Sequence, residues 1–487
     1  MVHISPLVGY SFKDYSLMTG FTPTDITLGA ISLDTKVGEI PLRIPLMSAA
    51  MTAVTGYHLA LALGKEGGMP VLPLRMKDKD KVGIIKKMKG FSASFVEDPV
   101  KAYDTDTVDV VIERMQEHGY SKIPVVNKNN QFKGIFDYNE FAETGGVLTE
   151  NVMRYVTKRD GVYLSENKDL SVEDAKQIVA EHGLKYLVVV DNLSHLEKMF
   201  FQRDMNPIRI GAAISSHSGW EASAKKYISA GADMIFIDTS DGHNGYVQDV
   251  VVKFKKMPFV IESGTPICVG NFITYEGVLD ALGWGADAVK IGMSTGAPCT
   301  TAKEKATGRA AMTALLEADR ARNAFKKANN DQHRAIICDG GIEDTADMVI
   351  ALTCADALMM GRYFSQFFEA AAPKFDKHGK HIDNPAAFRR DIVETLYYGE
   401  GSAYAKNMDR YGQGFKTFFP EGEVGFVPYR GMLRPNINDD LKRVKGALQN
   451  VGVTNLKDYR ENAHIELLSA EAKRTVQDTH GMRTKKD

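Results

Sequence analysis

Cysteine is scarce: the 487-residue chain has four, set neither in close pairs nor at the spacings that hold a structural zinc. That excludes a disulfide scaffold and a Cys-x-x-Cys metal clip, and points to a reducing, cytoplasmic setting. No apolar run approaches the ~18 residues a membrane-spanning helix requires, and the first twenty residues lack the pattern of a secretory leader. Charge of one sign is missing too, since 60 Lys and Arg face 62 Asp and Glu. Such a balance leaves no electrostatic footprint for nucleic acid, so neither nucleic acid nor membrane is an expected partner. Hydrophobic residues are plentiful at 44%, enough for the cores of two or three domains built around small-molecule chemistry.

Apolar segments alternate regularly with helical patterns, which favours a parallel sheet. Eight segments read as strands: Ile44–Ala50, Met69–Leu74, Ile208–Ile214, Met234–Asp238, Ile267–Asn271, Ala288–Met293, Ala335–Cys338 and Ala357–Met360. Three are launched by near-identical turns, Gly231-Ala232-Asp233, Gly285-Ala286-Asp287 and Cys354-Ala355-Asp356, each closing a helix. This suits the α/β class and a (β/α)8 TIM barrel, whose active site lies at the C-terminal strand ends. A doubly wound sheet falls behind, because no Gly-x-Gly-x-x-Gly follows the first strand.

Between the second and third of these strands the pattern changes. Glu117-His118-Gly119 followed by Lys122-Ile123-Pro124-Val125-Val126 recurs as Glu181-His182-Gly183 followed by Lys185-Tyr186-Leu187-Val188-Val189-Val190. Each copy reads helix, glycine stop, buried strand, polar turn, second strand. The pair resembles tandem cystathionine-beta-synthase-type (CBS) domains. That resemblance implies an adenine or guanine nucleotide as ligand, against the plainer reading of a structural insert. The expected division is barrel over 1–95, insert over 96–205 with halves at about 96–152 and 153–205, and barrel again over 206–487.

The strand ends carry the chemistry. Val289 to Ile291 runs into Gly292-Met293-Ser294-Thr295-Gly296-Ala297-Pro298-Cys299-Thr300-Thr301, a small-residue loop that puts one thiol where a barrel holds a nucleophile. Cys268, Cys338 and Cys354 instead sit in or beside apolar segments, where a thiol serves as a small hydrophobe. A free thiol is mostly protonated at neutral pH, so loop amides and neighbouring hydroxyls have to lower the pKa of Cys299. Asp339-Gly340-Gly341 after the seventh strand and Gly361-Arg362 after the eighth read as a phosphate cradle, with Asp339 placed for ribose hydroxyls. Asp238 ends the fourth strand. Asp241 is the natural cap of the following helix, which leaves Asp238 facing the barrel mouth.

In order and spacing, Ser48 to Met51, Asp238 to Gly242, Gly270-Asn271, Cys299-Thr300-Thr301, Asp339-Gly340-Gly341 and Gly399-Glu400-Gly401-Ser402 resemble the motifs of the inosine-monophosphate dehydrogenase family in its protozoan and bacterial variety. The likeness runs from about Leu17 to Leu468. It implies oxidation of inosine 5'-monophosphate (IMP) to xanthosine 5'-monophosphate with NAD, a step of guanine nucleotide biosynthesis. The Cys299 thiolate would add to C2 of the hypoxanthine ring, hydride would leave C2 for NAD, and water would then cleave the thioimidate. A mobile flap, about 399–430, would carry the water-activating pair Arg410-Tyr411, assisted by Thr301 and Glu421. Carried over residue by residue, the nucleotide contacts are Ser48, Met51, Asp339, Gly341, Gly361, Arg362, Tyr397, Glu400, Gly401 and Ser402. Asp238, Asn271 and Gly292 fall on the nicotinamide side, and Tyr246 at the adenosine end. Potassium or another monovalent cation is implied at the carbonyls of Ser294, Gly296 and Cys299, and a homotetramer for the assembly.

The cysteine loop departs from the family's Gly-x-Gly-Ser-Ile-Cys. Ser294 stands for a glycine, Ala297 for the phosphate-binding serine, and Pro298 precedes the cysteine. Losing one neutral hydrogen bond costs ~1 kcal/mol, which Arg362 can offset; Pro298 removes an amide donor and stiffens the loop. Two rivals stay open: a GMP reductase, whose flap is shorter and lacks the Arg-Tyr pair, and a nucleotide-sensing paralogue without catalysis.

Overall fold

The computed structural model describes residues 8–90, 95–118, 122–144, 146–158, 162–184, 186–201, 208–296, 301–383, 389–408 and 422–477. The chain divides into two compact units, one of residues 1–86, 209–373 and 394–487, the other of 87–208 and 374–393. The sequence pattern set the interruption at 96–205; the segment 374–393, distant in sequence, goes with the second unit.

The first unit is a closed parallel barrel. Its strands, in order around the barrel, are Leu46–Ser48, Met69–Leu72, Gly211–Ile214, Met234–Asp238, Ile267–Phe272, Ala288–Ile291, Ala335–Asp339 and Ala357–Met360, the last pairing with the first. They are apolar almost throughout because both faces of a parallel strand are covered; all four residues of the third, sixth and eighth strands are buried. Met47, Met69, Val71, Met234, Phe236, Cys268, Ile337 and Met359 pack the interior. The hairpin of Thr35–Val37 and Ile40–Leu42 adds Val37, Ile40 and Leu42 to that core. Its turn at Gly38 approaches Met234, Pro266 and Asp287, which begin or precede strands, so it seals the N-terminal end and leaves the chemistry to the other.

The repeated helix-to-strand turns have a structural reason. Asp233 accepts from the Ile210 amide at 2.8 Å, Asp287 from Ile267 at 2.9 Å, and Asp356 from Ile336 at 2.9 Å. Each aspartate, launching an even-numbered strand, thus fixes the start of the strand before it. Basic residues neutralise each carboxylate: Arg209 at Asp233, Lys255 and Arg334 at Asp287, Arg322 and Arg460 at Asp356.

In the second unit, each copy of the repeat is a helix followed by an antiparallel strand pair: Val108–His118 with Lys122–Val126 and Phe132–Asp137, then Val172–Glu181 with Tyr186–Val190 and Leu196–Phe201. The two turns meet reciprocally. The Phe132 amide donates to Ser194 O and the Leu196 amide to Asn130 O, with Asn130 and Ser194 both at positive φ. The copies are therefore related by a local pseudo-two-fold axis. Among the described residues no helix is long and apolar enough to cross a membrane.

Candidate functional site

Four consecutive strands each bring one polar side chain to the barrel mouth: Asp238 from the fourth, Asn271 from the fifth, Lys290 from the sixth and Asp339 from the seventh. Lys290 is 1% exposed, and its ammonium donates to the Asp238 carboxylate and, at 2.9 Å, to Asp339 Oδ2. Asn271 Nδ2 donates to the same Asp339 oxygen at 3.0 Å and to the Gly292 carbonyl at 2.7 Å. Among the described residues its buried Oδ1 has no hydrogen-bond partner. Burial works against the charge of Lys290, but the two carboxylates hold its pKa well above the ordinary value. Glycine at 270 lets strand five approach strand six closely here, because a Cβ would stand 2.5 Å from Lys290 Cβ. Beneath it, burial pushes the Cys268 thiol far up, so that thiol stays protonated and structural.

A second group gathers around the purine contacts expected from the sequence. Ser48 is fully buried and shares a 2.8 Å hydrogen bond with Thr55 Oγ1, which itself donates to Ala49 O. Tyr397 donates to the Met51 thioether at 3.8 Å, and Gly361 lies against both. A Cβ at Gly361 would come within 2.4 Å of the Tyr397 oxygen and 3.0 Å of the sulfur. Glu400 accepts from the amide and hydroxyl of Thr52 at 2.5 and 2.7 Å through Oε1, while Oε2 lies 3.3 Å from Arg75 Nε. Burial raises its pKa, and the charge of Asp238 adds to the rise, so Glu400 feels the same mouth. Ser402 is buried and accepts from the Ala405 amide, capping the helix Ala403–Met408 that follows Gly401.

At the glycine turn after the seventh strand, Gly340 and Gly341 have φ of 84° and 77°. Thr295 Oγ1 donates to Asp339 O at 3.1 Å, laying Thr295 and Gly296 against Gly340. Arg362 opens the short helix Arg362–Ser365 directly after Gly361. Ser294 adopts φ of 61°, a left-handed conformation that glycine takes most readily, and its hydroxyl donates to Thr307 O at 3.0 Å. A cavity of about 500 Å3 lined by Ser11, Phe12, Met293, Ser294, Thr295, Arg309, Gly341 and Glu343 borders this loop.

Cys299, Arg410, Tyr411 and Glu421 lie outside the described residues; Thr301 starts the helix Thr301–Lys305. Tyr246 is 67% exposed and stacks on His217, ring centroids 5.1 Å apart and planes 25° apart. The expected cap Asp241 is displaced: Asn244 caps the helix Gly245–Phe254, and Asp241 instead accepts from the His243 amide to order the turn before it. Lys290, Arg75 and His217, in contact with Asp238 and Asp339, with Glu400 and with Tyr246, join the candidate site and were missed by sequence reasoning. Lys290 looked like an ordinary strand position, whereas Arg75 and His217 follow the second and third strands, where charged and aromatic residues after a strand end were the available signal.

Comparison with known proteins gives the lineage. A sequence model described as the IMP dehydrogenase / GMP reductase domain matches residues 9–479. Similar relatives are the inosine-5'-monophosphate dehydrogenases of Tritrichomonas foetus, 26% identical and covering 95% of this chain and 94% of the relative, and of Korarchaeum cryptofilum, 28% identical and covering 94% of each. That of Aquifex aeolicus is 28% identical over 93% of this chain and 92% of its own. Among solved structures, a GMP reductase from Trypanosoma brucei in complex with guanosine 5'-monophosphate superposes with a TM-score of 0.71 at 19% identity, covering 98% of this chain and 99% of that one. It shares the fold.

Proposed function

The chain belongs to the IMP dehydrogenase / GMP reductase family, a family of oxidoreductases acting on purine nucleotides, and on that premise we propose that it oxidises IMP to xanthosine 5'-monophosphate, with NAD as hydride acceptor. The observation that carries this reading is the continuous network of Asp238, Lys290, Asp339 and Asn271, which sets a ribose acceptor beside an open amide acceptor. Asp339 receives the ribose hydroxyls, Gly341, Gly361 and Arg362 the phosphate, and Ser48, Met51, Tyr397, Glu400, Gly401 and Ser402 enclose the purine. Asn271 Oδ1, without a partner among the described residues, suits the N–H of a carboxamide, and the His217–Tyr246 stack suits an adenine ring, so the residues present fit NAD. When bound, NAD supplies the electrophilic carbon that takes the hydride.

The thiolate of Cys299 adds to C2, the C2–H bond yields its hydride, and the resulting thioimidate is hydrolysed, returning the thiolate and releasing a proton. Arg410 and Tyr411, with Thr301 and Glu421, activate the water from the flap at about 399–430, within which Gly399 to Met408 and Gly422 to Arg430 are described. The left-handed Ser294 keeps a glycine-like backbone, which supports a monovalent cation at the carbonyls of Ser294, Gly296 and Cys299. The second unit is assigned a purine nucleotide as a CBS-type insert over 96–205, the assembly a homotetramer, and the setting the cytoplasm.

The test is an absorbance assay of purified protein. NADH formation from IMP and NAD, lost in Cys299→Ala, supports the reading. Oxidation of NADPH with guanosine monophosphate alone would assign the reductase, and nucleotide binding without turnover the sensing paralogue.

A further inference from the structure

We propose that Lys290 is a positioning residue that couples the nucleotide half of the site to the dinucleotide half. Resting on the functional reading above, the inference assigns the mononucleotide to Asp339 and NAD to Asp238. Those carboxylates sit on strands seven and four, and neither strand pairs with the other. One ammonium joins them. Lys290 rises from strand six, 1% exposed, beside Gly270, where a Cβ would stand 2.5 Å from its own Cβ. Asn271, from the intervening strand five, also holds Asp339 through its amide nitrogen, and its one side-chain oxygen is without a partner among the described residues.

The coupling follows from shared donors. A ligand whose hydroxyls donate to Asp339 fixes that carboxylate and draws on its negative charge. The single ammonium then bonds Asp238 more strongly and fixes it in turn, so the ordering the second ligand requires is already in place. By linkage the effect is reciprocal: each ligand raises the other's affinity by the same factor. Lysine suits this task because its charge is compact and reaches both carboxylates at once. A neutral side chain of similar length leaves two carboxylates facing each other with nothing between them.

The test uses the full chain in a Cys299→Ala background, where both ligands bind without turnover, with affinities measured by calorimetry for IMP and NAD separately and together. Cys299→Ala is expected to show mutual tightening of about tenfold, within the usual coupling range. Adding Lys290→Met should bring that factor to about one, and Lys290→Arg should restore most of it. A purely structural role would weaken each affinity alone and leave the coupling factor unmoved. If Lys290→Met fails to fold, Lys290→Met with Asp238→Asn removes the opposed charges, and the same loss of coupling is expected. A tenfold factor surviving in a folded methionine variant overturns the proposal, as does its absence in Cys299→Ala itself. If neither ligand binds Cys299→Ala, the functional reading has failed and the coupling falls with it.

Discussion

Replacing Asp356 by asparagine removes one negative charge from the closure of the barrel and leaves three basic groups without it. The carboxylate is 1% exposed and lies 2.8 Å from Arg322 Nη1, 3.2 Å from Arg460 Nη2 and 3.2 Å from His333 Nε2, while accepting from the Ile336 amide. Arg322 is itself only 6% exposed, so its charge cannot turn to solvent. Breaking a buried pair by removing one partner costs about 3–5 kcal/mol, and that is the loss expected at pH 7 in urea unfolding of the barrel. Acid supplies an independent check. Burial works against the charge, yet His333, Arg322 and Arg460 hold the Asp356 pKa down at about 2. Against an unfolded value of about 3.9, each unit being about 1.4 kcal/mol, the native carboxylate contributes on the order of 2.5 kcal/mol above the unfolded pKa. Because the folded value is the depressed one, that contribution is lost as pH falls from about 4 through 2. The wild-type barrel should therefore lose stability steeply over that window, and Asp356→Asn should start lower and lose less. A variant within about 1 kcal/mol of wild type, or with an unchanged acid slope, would refute the reasoning.

Asn271→Leu removes the amide acceptor and the tie to Asp339; at about 1–3 kcal/mol for a buried polar group left unmatched, the KM for NAD should rise about 5- to 150-fold, read in steady-state kinetics. Arg75→Ala takes away the guanidinium beside Glu400, so the carboxyl, already raised by burial, should rise further and the acidic limb of kcat/KM for IMP should move to higher pH. Tyr246→Ala, or His217→Ala, should raise the KM for NAD by about 3- to 10-fold, as expected for a lost ring stack of about 0.5–1.5 kcal/mol, and leave the KM for IMP in place.

The barrel was legible because each of its strands is an almost unbroken apolar run, and the Gly-Ala-Asp turns recur where helices hand over to strands. Strand limits were less so. Ile44–Ala50 was expected, and Leu46–Ser48 is what pairs, because an apolar run records burial while a ladder ends where its neighbour ends. Lys290 escaped notice for a related reason. Its partners lie 52 and 49 residues away in sequence, and a lysine between Val289 and Ile291 reads as a solvent-facing strand residue until closure of the barrel turns it inward. The turn aspartates were visible as punctuation; that Asp356 gathers Arg322, His333 and Arg460 was not, since those residues come from three separate segments. Asp241 is the cap expected from the sequence, and Asn244 takes that place. The turn built by Thr239, whose hydroxyl donates to Asp241 O and accepts from the Asp241 amide, delays the helix and decides for Asn244.

Covalent oxidation at Cys299 can be read directly by mass spectrometry of the protein quenched during turnover with IMP and NAD. The account predicts a nucleotide adduct on the peptide containing Cys299, formed together with NADH and missing in Cys299→Ala. NADH produced with no adduct at Cys299, or an adduct that persists in Cys299→Ala, would contradict it.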